Sequence, residues 1–161
     1  MGPVGHVVVS TGVGAVIWES TGSTLAIPVA FAAGVLPDVD HVLDFFDPKD
    51  GGRSRLMLRP FHAWEYFLAS LVLVLALYSE PLFWAAALGY LSHLVLDQIA
   101  NRTHPMAYSI IYRAAKGFRR RHLTSHIFDP SYLATRESMP FWGRLEPSLW
   151  RLVTRLRGES H

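Results

Sequence analysis

Apolar residues in the first hundred positions gather into four segments: Val4 to Trp18, Thr24 to Leu36, Phe61 to Tyr78 and Leu82 to Ala100. Ser20-Thr21-Gly22-Ser23 and Ser79-Glu80-Pro81 are turn-like joints, so segments one and two, and segments three and four, are expected to form antiparallel helical hairpins. A helix that crosses the hydrocarbon core needs about 20 apolar residues. The third and fourth segments approach that length, and no polar face interrupts Phe67 to Leu77 as it would on a surface helix. Segments one and two are shorter and carry Gly12, Gly14, Pro28 and Gly34, which predicts tilted, kinked or partly inserted helices. The expected fold is all-α: a four-helix membrane-embedded antiparallel bundle over residues 1–104, followed by a basic amphipathic tail over residues 105–161. The core of a soluble helical bundle is the alternative reading of the same segments.

Charge refines this layout. Met1 to Pro48 contains no Lys or Arg, whereas the chain from Asn101 onward carries eleven of them against four Asp or Glu. Both short joints lack basic residues, and the long loop between segments two and three carries Lys49, Arg53, Arg55 and Arg59. Basic residues favour the cytoplasmic side, so four passes with both termini in the cytoplasm are expected, in an inner membrane. In the tail, Phe141, Trp142, Leu145, Leu149, Trp150, Leu152, Val153 and Leu156 recur at helical spacing among arginines. That pattern suits anionic lipid headgroups, or equally a helix packed on the bundle. The short run Arg119-Arg120-Arg121 reads as a juxtamembrane anchor in preference to a nucleic-acid contact.

The chain has no cysteine and eight histidines, so a bound metal must be held by nitrogen and oxygen. In an up-and-down layout the polar exceptions meet at one end. His6 opens the first helix, Asp38, Asp40 and His41 follow the second, His62 and Glu65 open the third, and His93 and Asp97 lie late in the fourth. His93 and Asp97 are four apart and share a helix face, offering one nitrogen and one oxygen ligand. Ionisable groups in such apolar segments are costly and point to function. Pro37 is expected to end the second helix, leaving Asp38 and Asp40 free to turn inward or to cap a following helix.

The pieces Leu36-Pro37-Asp38-Val39-Asp40-His41, Arg59-Pro-Phe-His62-Ala-Trp-Glu65 and Gly89-Tyr-Leu-Ser92-His93-Leu-Val-Leu-Asp97, with His6 ahead of them, resemble the predicted membrane-bound metal-dependent hydrolase family that includes LexA-binding inner-membrane-associated hydrolases. More distantly they are similar to the zinc-dependent phospholipase C and single-strand nuclease group. That similarity implies His6, Asp40, His62, His93 and Asp97 as metal ligands. It implies zinc, with manganese as the alternative, in one or two ions, since the later His-x-x-x-Glu of a trinuclear centre has no counterpart here.

The expected function is a metal-dependent phosphoesterase acting on a lipid or lipid-linked phosphate at the cytoplasmic membrane face. Asp38 and Glu65 are the expected catalytic carboxylates, taking a water proton or orienting a ligand histidine. Arg59 and Arg102 are candidate phosphate clamps or membrane anchors, and His104 is a candidate accessory ligand. Two rivals stand beside this: a non-catalytic anchor recruiting a soluble protein partner through the tail, and a purely structural metal clamp.

Overall fold

Each apolar segment forms a helix in the computed structural model, which describes residues 3–45, 49–50, 53–54, 56–76, 80–101 and 103–123. The elements are α1 (Pro3–Thr21), α2 (Ala26–Val35), α3 (Trp64–Ala76), α4 (Pro81–Asn101) and the short α5 (Ile110–Ala115). α1 and α4 both start on proline, whose fixed φ and missing N–H suit the first helical position. The fold is all-α among the described residues apart from a two-residue antiparallel ladder, Lys49–Asp50 with Arg53–Ser54, in the long loop and a single antiparallel bridge between Leu56 and Arg119.

α2 ends at Val35, close to Pro37 as expected, because proline has no N–H to continue the α-helical ladder. The chain does not become a loop there. It continues as a 3₁₀ helix over Leu36–Phe45, long for a form whose hydrogen bonds seldom sustain more than 3–4 residues. At three residues per turn, positions three apart share a row. Leu36 and Val39 are exposed, Pro37 and Asp40 are buried, and Asp38 and His41 are half-buried. This segment delivers two different rows of polar side chains to two different places.

α1, α2 and α4 pack against one another, and α3 packs on α4. Small residues make the approach close. A Cβ on Gly89 would lie 2.5 Å from the Ala30 carbonyl oxygen and 2.9 Å from its Cα, so α2 and α4 meet backbone to backbone. Gly34 is pressed in the same way between Ser10 of α1 and the Gly89 carbonyl of α4. Ile17, Ala26, Ala30 and Ala85 fill the rest of this seam.

Residues 105–123 were expected in a juxtamembrane tail, and the structure folds them onto the loop before α3. Met57, Ala107, Tyr108 and Leu123 form a second buried cluster against Trp64 and Tyr112. Trp64 N–H donates to the Tyr108 carbonyl at 2.8 Å, and Met57 N–H to the Phe118 carbonyl at 2.8 Å. The unit built around the site thus runs past the expected boundary at 104. The amphipathic helix expected over Phe141 to Leu156 lies outside the described residues.

Among the described residues one helix, Pro81–Asn101, is long and apolar enough to cross a membrane, and Trp64–Ala76 is a shorter apolar helix. α2, at 10 residues, rises only about 15 Å, roughly half the thickness of a hydrocarbon core.

The Gly89 contact is testable. Gly89→Ala is expected to force α2 and α4 apart and to destabilise the fold by about 1–3 kcal/mol, the usual cost of overpacking. Thermal unfolding of the variant beside Gly12→Ala, where an added Cβ meets nothing within 4 Å, measures it.

Candidate metal centre

The close seam brings α1, α2 and α4 together at the level of His6, Gly34 and His93. His6 and His93 are fully buried with ring centroids 4.1 Å apart. His93 Nδ1 donates to the Gly34 carbonyl at 2.9 Å, which turns its Nε2 inward. The glycine that permits close packing thus also aims a ligand.

His62 reaches the same point from the loop before α3, and that loop is held from two sides. Arg113 of α5, itself fully buried, donates to the carbonyls of Leu58, Arg59 and His62, each at 2.8 Å. Tyr90 of α4 donates to the Phe61 carbonyl at 2.7 Å and accepts from Ala63 N–H at 2.9 Å. Between these clamps, His62 Nδ1 donates to Asp40 Oδ2 at 3.0 Å, and Phe61 N–H donates to the same oxygen at 2.9 Å.

His62 Nε2 and His93 Nε2 face each other at 2.9 Å. Both Nδ1 atoms donate to groups that only accept, a carboxylate and a carbonyl, so both carry hydrogen. Two neutral rings would then oppose lone pair to lone pair. At least one of the two Nε2 atoms must therefore carry a proton or hold a metal ion.

Carboxylates complete the surround. Asp97 Oδ1 lies 3.0 Å from His6 Nε2, and Asp97 Oδ2 lies 3.4 Å from His62 Nε2. Asp38 Oδ1 lies 3.4 Å from His41 Nε2 and 3.7 Å from both His62 Nε2 and His93 Nε2. His6, Asp38, His93 and Asp97 form one set whose donor atoms all lie within 4.8 Å of one another, and Asp38, His41, His62 and Asp97 form another. Neutral imidazole and carboxylate without thiolate is the donor chemistry of zinc, manganese or iron.

Electrostatics in the metal-free protein follow the geometry. Burial disfavours the His62 imidazolium, but Asp38, Asp40 and Asp97 outweigh it and push its pKa up to about 10. Burial, with Arg59 and His62 adding to it, drives His41 down to about 3 despite Asp38 and Asp40. Burial alone would raise the Asp38 carboxyl, yet His62, His93 and His41 hold it below the usual carboxylate value. His62 is therefore the protonated ring at neutral pH, and His41 keeps a free lone pair.

Of the expected ligands, His6, His62, His93 and Asp97 converge, all buried. The two aspartates of the 3₁₀ segment occupy different places. Asp40, expected as a ligand, sits on the buried row and braces His62 from behind, and it belongs to neither ligand set. Asp38, expected as a catalytic base, faces the donors and belongs to both. Glu65, the other expected catalytic carboxylate, is turned to α5: Ser109 Oγ donates to it at 2.6 Å, and the N–H groups of Ile110 and Ile111 donate at 3.1 and 3.2 Å. It neutralises the start of that helix. His104 accepts from Met106 N–H and stacks on Tyr112, away from the cluster. Arg102 lies outside the described residues.

His41, expected at this end but not among the ligands, joins them, and the residues not expected at all are Arg113, Tyr90 and Tyr108, whose hydroxyl accepts from Asn101 Nδ2 at 3.0 Å and lies 3.5 Å from Asp97 Oδ2. The i, i+3 spacing of Asp38 and His41 was a usable signal, given a 3₁₀ helix. The others act across long sequence separations that no local pattern announces. No family model matches the chain, and no curated protein or solved structure matches it.

Two expectations follow. The raised His62 pKa gives stability that is complete below the unfolded value of 6.5 and lost as pH rises toward about 10. The lowered His41 pKa gives stability present above 6.5 and lost as pH falls toward about 3. Thermal unfolding of chelator-treated protein should peak near pH 6.5, and Asp40→Asn should flatten the alkaline limb. Separately, Glu65→Ala should cost about 1 kcal/mol, as loss of a helix cap does, with metal content unchanged by elemental analysis.

Proposed function

We propose that this chain is a membrane-bound, metal-dependent hydrolase of phosphoesters presented at the cytoplasmic membrane face. The observation that carries the reading is the pair of opposed Nε2 atoms of His62 and His93, 2.9 Å apart with both Nδ1 atoms already donating. Four imidazoles and two carboxylates turned to one point form a receptor for a hard or borderline divalent cation, zinc first and manganese second. Such an ion, when bound, supplies a Lewis acid for a phosphoryl oxygen and lowers the pKa of water.

The chain's own residues supply the rest. Asp40 and the Gly34 carbonyl fix the Nδ1 hydrogens of His62 and His93, leaving Nε2 as the ligand atom, and Arg113 and Tyr90 keep the His62 loop in place. Side chains of His6, His62, His93 and Asp97 are at most 1% exposed, whereas Asp38 is 23% and His41 20% exposed. Access is therefore along the 3₁₀ segment. Buried Arg59 acts electrostatically on His41 and adds positive charge on this side, favourable to a phosphate.

The same segment turns Leu36 and Val39 outward one row away from Asp38 and His41. An apolar surface beside a polar mouth suits a substrate with a phosphate head and an apolar tail. Val16 of α1, Leu75 of α3 and Ile99 of α4 are each 69–70% exposed, which supports helices set into lipid as an antiparallel four-helix bundle. The basic long loop and tail support an orientation with the site end toward the cytoplasm.

The test is metal content and phosphate release together. Detergent-purified protein should contain zinc or manganese and release phosphate or a phosphorylated headgroup from phospholipid micelles, with activity abolished by chelation and restored by the ion. His93→Ala and Asp97→Asn should lower both metal content and turnover by at least about 100-fold, the upper range for disturbing a metal site. Folded protein that takes up no divalent ion would overturn the reading.

A further inference from the structure

We propose that the cluster holds two divalent ions at once, bridged by Asp38 and Asp97, and that the ion held by His41 and His62 is the exchangeable one nearer solvent. This rests on the metal-dependent reading above and specifies its nuclearity. The two ligand sets share only their carboxylates: His6 and His93 belong to one, His41 and His62 to the other. That division matches the chemistry of the donors. A neutral imidazole has one lone pair and serves one ion, whereas a carboxylate has two oxygens and can serve two.

The oxygens are in fact divided. Asp97 turns Oδ1 to His6 at 3.0 Å and Oδ2 to His62 at 3.4 Å. Asp38 turns Oδ2 toward His6 at 4.0 Å and Oδ1 toward His41 at 3.4 Å. Asp38 Oδ1 is also 3.7 Å from both His62 and His93, where the two sets meet. A single ion of four-coordinate preference would leave two of the six side chains without a role. His41 Nε2 is buried with no hydrogen-bond partner, a donor atom aimed into the cluster. A second ion on His41 and His62 gives each ring one cation. Because Asp38 and His41 are the partly exposed members, this second ion faces the mouth.

Titration of the metal-free full chain with Mn²⁺, followed by elemental analysis and electron paramagnetic resonance, tests this without reference to activity. Two equivalents with an exchange-coupled spectrum are expected. His41→Ala, at a partly exposed position, should retain its helical circular dichroism and one tight equivalent, lose the coupling, and bind the second equivalent more than about tenfold more weakly, the lower bound for disturbing a metal site. Wild-type protein that binds one equivalent with an uncoupled spectrum overturns the two-ion proposal and leaves the hydrolase reading standing. Binding of none overturns both. His41→Ala that keeps two coupled ions overturns the assignment of His41.

Discussion

The site depends on two imidazole nitrogens that cannot face each other unless at least one of them carries a proton or holds a metal ion. His62 and His93 arrive from different parts of the chain with Nδ1 already donating, so the remaining lone pairs converge at 2.9 Å. Every neighbouring polar feature answers that repulsion. Asp97 and Asp38 bring negative charge to the same point, and Asp40 stabilises charge on His62 from the far side. A proton on His62 relieves the conflict, and a metal ion bound there would displace that proton. Binding of such an ion would be coupled to proton release and would strengthen as pH rises.

Convergence of this kind demands positional accuracy, and here it comes from the absence of side chains. Gly34 and Gly89 let three helices approach until backbone meets backbone. The Gly34 carbonyl is consequently near enough to be an acceptor for His93. Gly89 is one turn before His93, and Ser10 one turn after His6, so the tightest packing lies directly beside the ligands. Small residues at helix interfaces also suit a membrane setting, where packing takes over from the hydrophobic effect as the force between helices.

Much of this was legible in the sequence, for identifiable reasons. Helix existence followed from long apolar runs, and the end of α2 from Pro37. His6, His62, His93 and Asp97 stood out because ionisable groups are rare in such runs, and topology alone brought them to one end. The 3₁₀ segment was not legible, because its i, i+3 rows emerge only once the helix type is known. That is why the sequence did not separate Asp38, which faces the donor cluster, from Asp40, which bonds His62 from behind two residues later. Glu65 misled because it lies one helical turn from His62, yet its carboxylate answers the N–H groups of α5, a partner 45 residues away in sequence. Arg113 could not be found by pattern at all: an arginine in a basic segment reads as a surface charge, and here its guanidinium fills a pocket of carbonyls.

A structural metal clamp and a catalytic centre differ in whether the coordination shell is closed. A clamp fixing helix ends is best served by four buried ligands from rigid helices, and α1 and α4 offer three such side chains, His6, His93 and Asp97. The remaining ligands come from elsewhere. Asp38 and His41 stand on a 3₁₀ helix, a less stable form than the α-helix it extends, and they alone of the ligand side chains are appreciably exposed. A fold selected only to be held together has no reason to place half of one ligand set on its least regular element and next to solvent. Open access on that side, with apolar Leu36 and Val39 adjoining it, is what the proposed reading of a reacting site at a lipid surface calls for.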